Sequence, residues 1–187
     1  MDRPEHINIV EVGPRDGLQN EAQPLSPPER IELINRLAEA GLTQIEAGAF
    51  VSPRWVPQMA GSDEVLLALS SRSDLRLPVL VPNRKGYQTA RTAGAREIAV
   101  FGAASETFSK RNINCSIDES IERFSEICIL ALDEGIRIRG YISCVLGCPY
   151  EGEVDPGRVA ELAARMTAMG CTEISLGDTI GVGTPDK

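Results

Sequence analysis

The chain has 187 residues, 42% of them hydrophobic and 25% charged, the make-up of an ordinary globular domain with a sizeable core and not of a disordered or fibrous chain. A net charge of −8 argues against nucleic acid or an anionic membrane surface as partner, and no apolar run approaches the roughly 20 residues of a membrane span. Five cysteines, an odd number with no Cys-x-x-Cys pair, point to free thiols in a reducing compartment; with neither an apolar signal region nor an Arg/Ser-rich transit segment at the N-terminus, a cytoplasmic location is expected.

In chain order, an apolar run from Ile7 to Val12 is cut off by Gly13-Pro14 and reads as a first strand, with Arg15-Asp16 just beyond its end. Ser26-Pro27-Pro28-Glu29 is a capping box with prolines in the first turn. The stripe Ile31, Ile34, Leu37, Ala38 then predicts a helix that ends at Gly41. Thr43 to Gly48 reads as a second strand with Glu46 towards its far end. The alternation recurs as a helix near 62–71, a strand near 76–82, a helix near 84–93 and a strand near 97–104. Ser116-x-x-Glu119 opens another helix, with stripe Ile121, Phe124, Cys128, Ala131 and Leu132, closing at Gly135. A strand at 137–145, a helix from Asp155-Pro156 to Gly170 and a strand at 173–177 follow, and Gly183-Thr184-Pro185-Asp186-Lys187 reads as the start of a further helix.

Gly41, Gly94, Gly135 and Gly170 each fall between a helix and a strand, so the chain is a degenerate repeat of one strand–helix unit. Such alternation implies a parallel sheet covered by helices, as a doubly wound open sheet or a (β/α) barrel. No Gly-x-Gly-x-x-Gly follows the first strand, which lowers the first option.

In a parallel barrel the loops at the carboxyl ends of the strands open on one face, and Arg15, Asp16, Glu46 and Asp178 all fall at such ends. Arg15-Asp16 has two readings: a local ion pair that holds the loop, or a hard-cation ligand beside an anion-binding guanidinium. The basic pairs Arg84-Lys85 and Lys110-Arg111, just after strands three and four, are either solvated loop residues or receivers for the phosphates of a nucleotide-like handle. Cys128 and Cys171 fall at core positions, whereas Cys144 and Cys148 flank a strand end and are placed to line a site; packing is the default for all five cysteines.

The segments VEVGPRDGLQNE (10–21), FVSPRWVPQM (50–59), FGAASETFSKRNINCS (101–116), GYISCVLGCPYEG (140–152) and EISLGDTIGVGTP (173–185) together resemble the hydroxymethylglutaryl-CoA lyases, and they span nearly the whole chain. The resemblance implies the TIM (β/α)8 barrel. The chain would then be a single barrel domain over 1–187, with about the first six strands and five helices of an eight-fold repeat and a truncated C-terminus. It also implies a carbon–carbon lyase that cleaves 3-hydroxy-3-methylglutaryl-CoA into acetoacetate and acetyl-CoA, in leucine degradation and ketone-body formation. In that reading Asp16 matches an aspartate ligand of Mg²⁺ or Mn²⁺, Arg15 the arginine that contacts substrate and the developing enolate, and Glu46 an active-site glutamate. Lys110, Arg111 and Asn112 are expected to bind the acyl-CoA, and Asp178 to belong to the polar shell around it. The implied partner is a small-molecule acyl-CoA, with no nucleic acid and no membrane, and a homodimer is admitted.

The chain departs from the family pattern at one point. The family completes its metal site with two histidines of one later strand and an asparagine, and protonates the enolate from a cysteine in a late glycine-rich loop. The only histidine here, His6, precedes the first strand, and Cys148 belongs to a different family block from the catalytic cysteine. An inactive fragment is therefore one alternative. Another is a related acyl-CoA aldolase or condensing enzyme, although the isopropylmalate and homocitrate synthases open with Thr-Leu-Arg-Asp-Gly-Glu where this chain has Gly-Pro-Arg-Asp-Gly-Leu-Gln-Asn.

Overall fold

A computed structural model describes residues 5–186, so Met1–Pro4, on the expected approach to the first strand, and Lys187 lie outside the described residues. The backbone separates into two compact units, Met1–Leu80 with Gln88–Arg96, and Val81–Tyr87 with Glu97–Lys187. Helix α3, Arg84–Thr92, belongs to both.

In the first unit, α1 (Pro27–Glu39) starts where the capping box requires: the Glu29 carboxylate accepts the Ser26 hydroxyl at 2.6 Å and the Ser26 N–H at 2.8 Å, and the two, the hydroxyl foremost, hold that carboxyl below the usual range. The helix buries Ile34 and, unexpectedly, Arg30, both at 0% exposure. Arg30 Nη1 donates to the carbonyls of Gln58 (3.0 Å) and Ala60 (3.1 Å), and Nη2 to Ser62 Oγ (3.2 Å). Ser62, at the start of α2 (Ser62–Ala68), accepts the Ala49 N–H at 3.2 Å, so one guanidinium ties helix, loop and strand together. The closeness of that contact explains Gly48, where a Cβ would sit 2.5 Å from Ser62 Oγ.

The strands of this unit are shorter than expected. Only the end of the 7–12 run is paired, through Glu11 N–H to Gln44 O (2.9 Å) and Glu46 N–H to Glu11 O (2.8 Å), while Ile7 and Ile9 are 82% and 63% exposed. Residues 43–50 follow 76–80 in parallel through Ile45 N–H to Arg76 O (3.0 Å) and Ala47 N–H to Pro78 O (3.0 Å). Regular ladder is confined to β1 (Gly48–Ala49) and β2 (Val79–Leu80). Pro78 accepts but has no N–H to return, which interrupts the ladder in the middle of the expected strand.

In the second unit the ladders are longer. Parallel β3 (Glu97–Ala103) and β4 (Arg137–Ser143) pair from Glu97↔Arg137 to Ala103↔Ser143, and β4 pairs with β5 (Glu173–Leu176) from Arg139↔Glu173 to Ile142↔Leu176. Opposite charges face each other at both starting rungs, Arg137 with Glu97 and Arg139 with Glu173, which favours this register over a slipped one.

Helix α5 (Ile117–Asp133) opens on the second capping box, with Glu119 N–H to Ser116 Oγ at 3.2 Å and Ser116 N–H to Glu119 Oε2 at 2.7 Å. It buries Ile121, Phe124, Ile127, Cys128 and Ala131, each worth about 1.5–3 kcal/mol if as large as Ile or Phe. Leu132, expected in the stripe, is 50% exposed at the end of the helix, whereas Ile127, outside the expected stripe, is fully buried. Helix α6 (Pro156–Ala168) is capped by Asp155, which accepts the Gly157 N–H at 3.0 Å. Gly41, Gly94, Gly135 and Gly170 all have positive φ, between 69° and 100°, as helix-ending glycines require. Helix α4 (Glu106–Ile113) was not expected, in a stretch read from sequence as loop, and neither were the short helical turns at Gly13–Gly17 and Pro57–Met59. No helix among the described residues is long and apolar enough to cross a membrane.

Candidate active site

The segment Gly13–Gly17 is a single π-helical turn, with the N–H groups of Arg15, Asp16 and Gly17 converging on Val12 O at 3.1, 2.7 and 3.4 Å. Glu11 prepares its entry: the carboxylate accepts the Gly13 N–H at 2.6 Å, where a Cβ on residue 13 would come within 2.7 Å of Oε1. The exit is held by Asn20 Nδ2 to Asp16 O at 2.8 Å and by Gln58 Nε2 to Glu21 O at 2.9 Å. The turn therefore presents Arg15 and Asp16 from an ordered mount.

Three of the expected residues come together there. Arg15 is 8% exposed and Glu46 is fully buried, and Arg15 Nε donates to Glu46 Oε2 at 2.8 Å. On its other edge Arg15 Nη1 donates to Asp16 Oδ1 at 2.7 Å, with the Asp16 side chain 58% exposed. The ion pair of the first reading of Arg15-Asp16 is present, and its acid reaches solvent while its base is sequestered. A guanidinium fixed on one edge by a buried carboxylate keeps its orientation through a charge rearrangement, since its planar fork cannot rotate without breaking the Nε bond.

The remaining expected residues lie in the second unit. Lys110, Arg111 and Asn112 are exposed in the last turn of α4, not in a loop. Ser105 caps this helix by accepting the Phe108 N–H at 3.1 Å, and Asn114 ends it at φ 53°. The signal was present in Ser105 and Asn114, but without a glutamate at the third helical position it was not read as a start. Arg111 stacks over the Tyr150 ring, 4.3 Å from its centroid, and the two cations complement the helix's negative end. Arg84 and Lys85 are exposed in the first turn of α3, where positive charge opposes the dipole. The Asp178 carboxylate accepts the N–H groups of Gly183 (2.7 Å) and Val182 (3.1 Å), which hold it below the ordinary aspartate range and close the 178–183 loop.

His6 is exposed, and among the described residues no group of three or more His, Cys, Asp or Glu could hold a metal ion. Asp16 offers one carboxylate, half engaged by Arg15, where a hard cation takes about six oxygen ligands. The described residues do not by themselves make a coordination sphere for Mg²⁺ or Mn²⁺. Sequence reasoning also missed Glu11, whose place between Val10 and Val12 in an apolar run was the available signal, and Arg30, whose burial a helix-surface pattern does not announce.

Parallel strands alternating with helices, and a guanidinium buried between two carboxylates beyond a strand end, define an α/β-barrel protein with a charged site at the carboxyl ends of its strands. The HMGL-like family profile matches residues 6–187, and the chain belongs to that family. It is 62% identical over 181 residues to the hydroxymethylglutaryl-CoA lyase of Pseudomonas mevalonii, covering 97% of this chain and 60% of that protein. The crystal structure of the hydroxymethylglutaryl-CoA lyase from Pseudomonas aeruginosa matches with a TM-score of 0.93 at 56% identity, over 97% of this chain and 60% of that one. An HMG-CoA lyase from Acinetobacter baumannii, solved in complex with coenzyme A and 3-methylmalate, matches with a TM-score of 0.90 at 33% identity, over 96% and 59%. The chain thus spans about 60% of the length of these relatives. Its fold is that of part of their TIM barrel, as expected.

Proposed function

We propose that this chain carries the enolate-stabilising part of a hydroxymethylglutaryl-CoA lyase, a carbon–carbon lyase acting on 3-hydroxy-3-methylglutaryl-CoA. The observation that supports it most is the Arg15–Glu46 pair, because a buried arginine with a buried anchor and a displaceable outer partner suits charge that develops during a reaction. In the cleavage the C3 hydroxyl loses its proton and the C2–C3 bond breaks. The C3 oxygen becomes the ketone of acetoacetate, and the electron pair passes to the thioester as the acetyl-CoA enolate.

Arg15 donates to that enolate oxygen, with Nη1 freed as the Asp16 carboxylate turns away from it. Glu46, through Nε, keeps the guanidinium plane fixed and is thereby a positioning residue for Arg15. Asp16 would be one ligand of the divalent cation the family reading implies, Mg²⁺ or Mn²⁺, which when bound acidifies the substrate hydroxyl. Lys110, Arg111 and Asn112 receive the phosphates of the coenzyme A handle, and Asp178 shapes the 178–183 loop on the substrate side. A homodimer and a cytoplasmic location belong to the same proposal.

The test is direct. The native polypeptide that carries these residues, given Mg²⁺ and 3-hydroxy-3-methylglutaryl-CoA, should form acetoacetate and acetyl-CoA in equal amounts. Turnover of a different acyl-CoA with none of this one would move the assignment to another aldolase of the superfamily.

A further inference from the structure

Two cysteines meet just beyond β4, in the second unit. Cys144 is fully buried and holds a left-handed backbone, φ 63°, with its N–H donated to Thr179 Oγ1 at 2.7 Å. A non-glycine residue held there is under strain that the surrounding bonds must maintain. Cys148, four residues on and 2% exposed, is pinned by reciprocal backbone bonds with Gly152 at 2.8 and 3.0 Å. Its sulfur lies 3.0 Å from Ser105 Oγ, takes the Tyr150 N–H at 3.4 Å and is in hydrogen-bonding contact with the Cys144 thiol. Ser105 is itself fully buried and caps α4.

The two thiols are therefore not equivalent. Burial pushes Cys148 up, but the Ser105 hydroxyl, the N–H groups of Tyr150 and Glu151 and the Cys144 thiol outweigh it and hold the group below the ordinary thiol range. Burial pushes Cys144 up to about 11. A sulfur cradled by donors with a protonated thiol against it is the arrangement of an attacking and a resolving cysteine.

We propose that Cys144 and Cys148 form a reversible disulfide, Cys148 reacting first with a small hydroperoxide and Cys144 resolving the product. The Cys148 thiolate attacks one peroxide oxygen: an S–O bond forms, the O–O bond breaks, and the departing hydroxide leaves as water after taking a proton from solvent. Cys148 is then a sulfenic acid, oxidised by two electrons. The Cys144 sulfur attacks it, the S–S bond forms, the S–O bond breaks, and the Cys144 proton departs with the hydroxyl as a second water. The slight exposure of Cys148 admits a neutral oxidant the size of hydrogen peroxide and disfavours a bulky disulfide. Cys128 and Cys171 are a second asymmetric pair, the Cys171 thiol holding Cys128 below the ordinary thiol range while Cys171 is pushed up; Cys128 is fully buried and is lowered by that thiol without the hydroxyl and N–H groups that surround Cys148, so the pair provides an internal comparison.

The reduced chain is treated with equimolar hydrogen peroxide, blocked and digested with trypsin without reductant. The peptide from Gly140 to Arg158 carries both cysteines and no internal Lys or Arg. Its mass should fall by two hydrogen atoms and recover with dithiothreitol. In Cys144→Ser, dimedone should instead label Cys148; in Cys148→Ser, the peptide should stay unoxidised. An unchanged wild-type peptide while methionines oxidise, a Cys128–Cys171 bridge forming first, or dimedone labelling of Cys144 in Cys148→Ser would each overturn the proposal.

Discussion

In the proposed reaction Arg15 is the residue on which the chemistry turns, and its two carboxylate partners differ in burial enough to be separated by mutation. Arg15→Lys keeps a positive charge but loses the planar fork, so it cannot hold Glu46 and an enolate oxygen at once. In the native polypeptide kcat should fall by about 10²–10³-fold with little change in KM, the loss typical of one oxyanion donor. A variant retaining most of its turnover would remove Arg15 from the enolate-stabilising role. Glu46→Gln tests the anchor: it leaves a guanidinium at 8% exposure without its buried counter-charge, which should lower folding stability by about 3–5 kcal/mol in a denaturant titration. A midpoint within about 0.5 kcal/mol of wild type would mean the pair is not the structural link its burial suggests. The Arg15-Asp16 ion pair was legible in the sequence because opposite charges side by side directly after Gly13-Pro14 need a partner each. Its division into a sequestered base and an exposed acid was not, since it depends on the segment leading into β1, which contributes Glu46 from 31 residues away.

At the scale of elements, the caps were the most legible feature, because each is a local exchange of hydrogen bonds: both capping boxes and all four helix-ending glycines sit where the pattern put them. Strand lengths were not legible, because Pro78 removes a donor from a row that hydropathy alone reads as continuous. Helix α4 was missed, and with it the setting of Lys110 and Arg111, whose charges already serve the helix dipole and the Tyr150 ring. Their proposed role in holding acyl-CoA is therefore tested by kinetics: Lys110→Glu with Arg111→Glu in the native polypeptide should raise KM about 10-fold or more and leave kcat near wild type, as remote binding contacts do. An unchanged KM would return both residues to the helix alone. The hydrogen bonds of the 178–183 loop set the sign of its pH dependence. Asp178 is depressed in the folded loop by the Gly183 and Val182 N–H groups, so its contribution is present above the ordinary aspartate pKa and is lost as pH falls through the lower folded value. The Val182 and Gly183 amide proton resonances should therefore hold their positions down through the ordinary aspartate range and shift upfield only below it. Movement centred on the ordinary value would show those bonds to be weak in solution.

For the whole molecule the decisive quantity is the number of metal ligands the chain can bring to one place. The alternation of strands and helices made a parallel sheet covered by helices readable but left an open sheet and a barrel both standing; the family resemblance implied the barrel, and the relatives carry that fold at TM-scores of 0.90 and 0.93. Catalytic completeness is a separate matter, set by particular side chains and not by fold. Among the described residues no His, Cys, Asp or Glu cluster suits a cation, the one histidine is exposed near the chain start, and Asp16 shares its carboxylate with Arg15. One such carboxylate with water filling the other positions holds Mg²⁺ weakly, and a substrate chelated by so loose an ion would not have its hydroxyl acidified in register with Arg15. Residues 1–187 alone should consequently release no acetoacetate from 3-hydroxy-3-methylglutaryl-CoA at any Mg²⁺ or Mn²⁺ concentration. Adding the separately produced remainder of a close relative, such as the Pseudomonas mevalonii enzyme, should restore release if it docks. The measurement is acetoacetate formed per mole of chain against metal concentration, and a saturable, metal-dependent rise from the chain alone would mean that its own residues suffice to hold the ion.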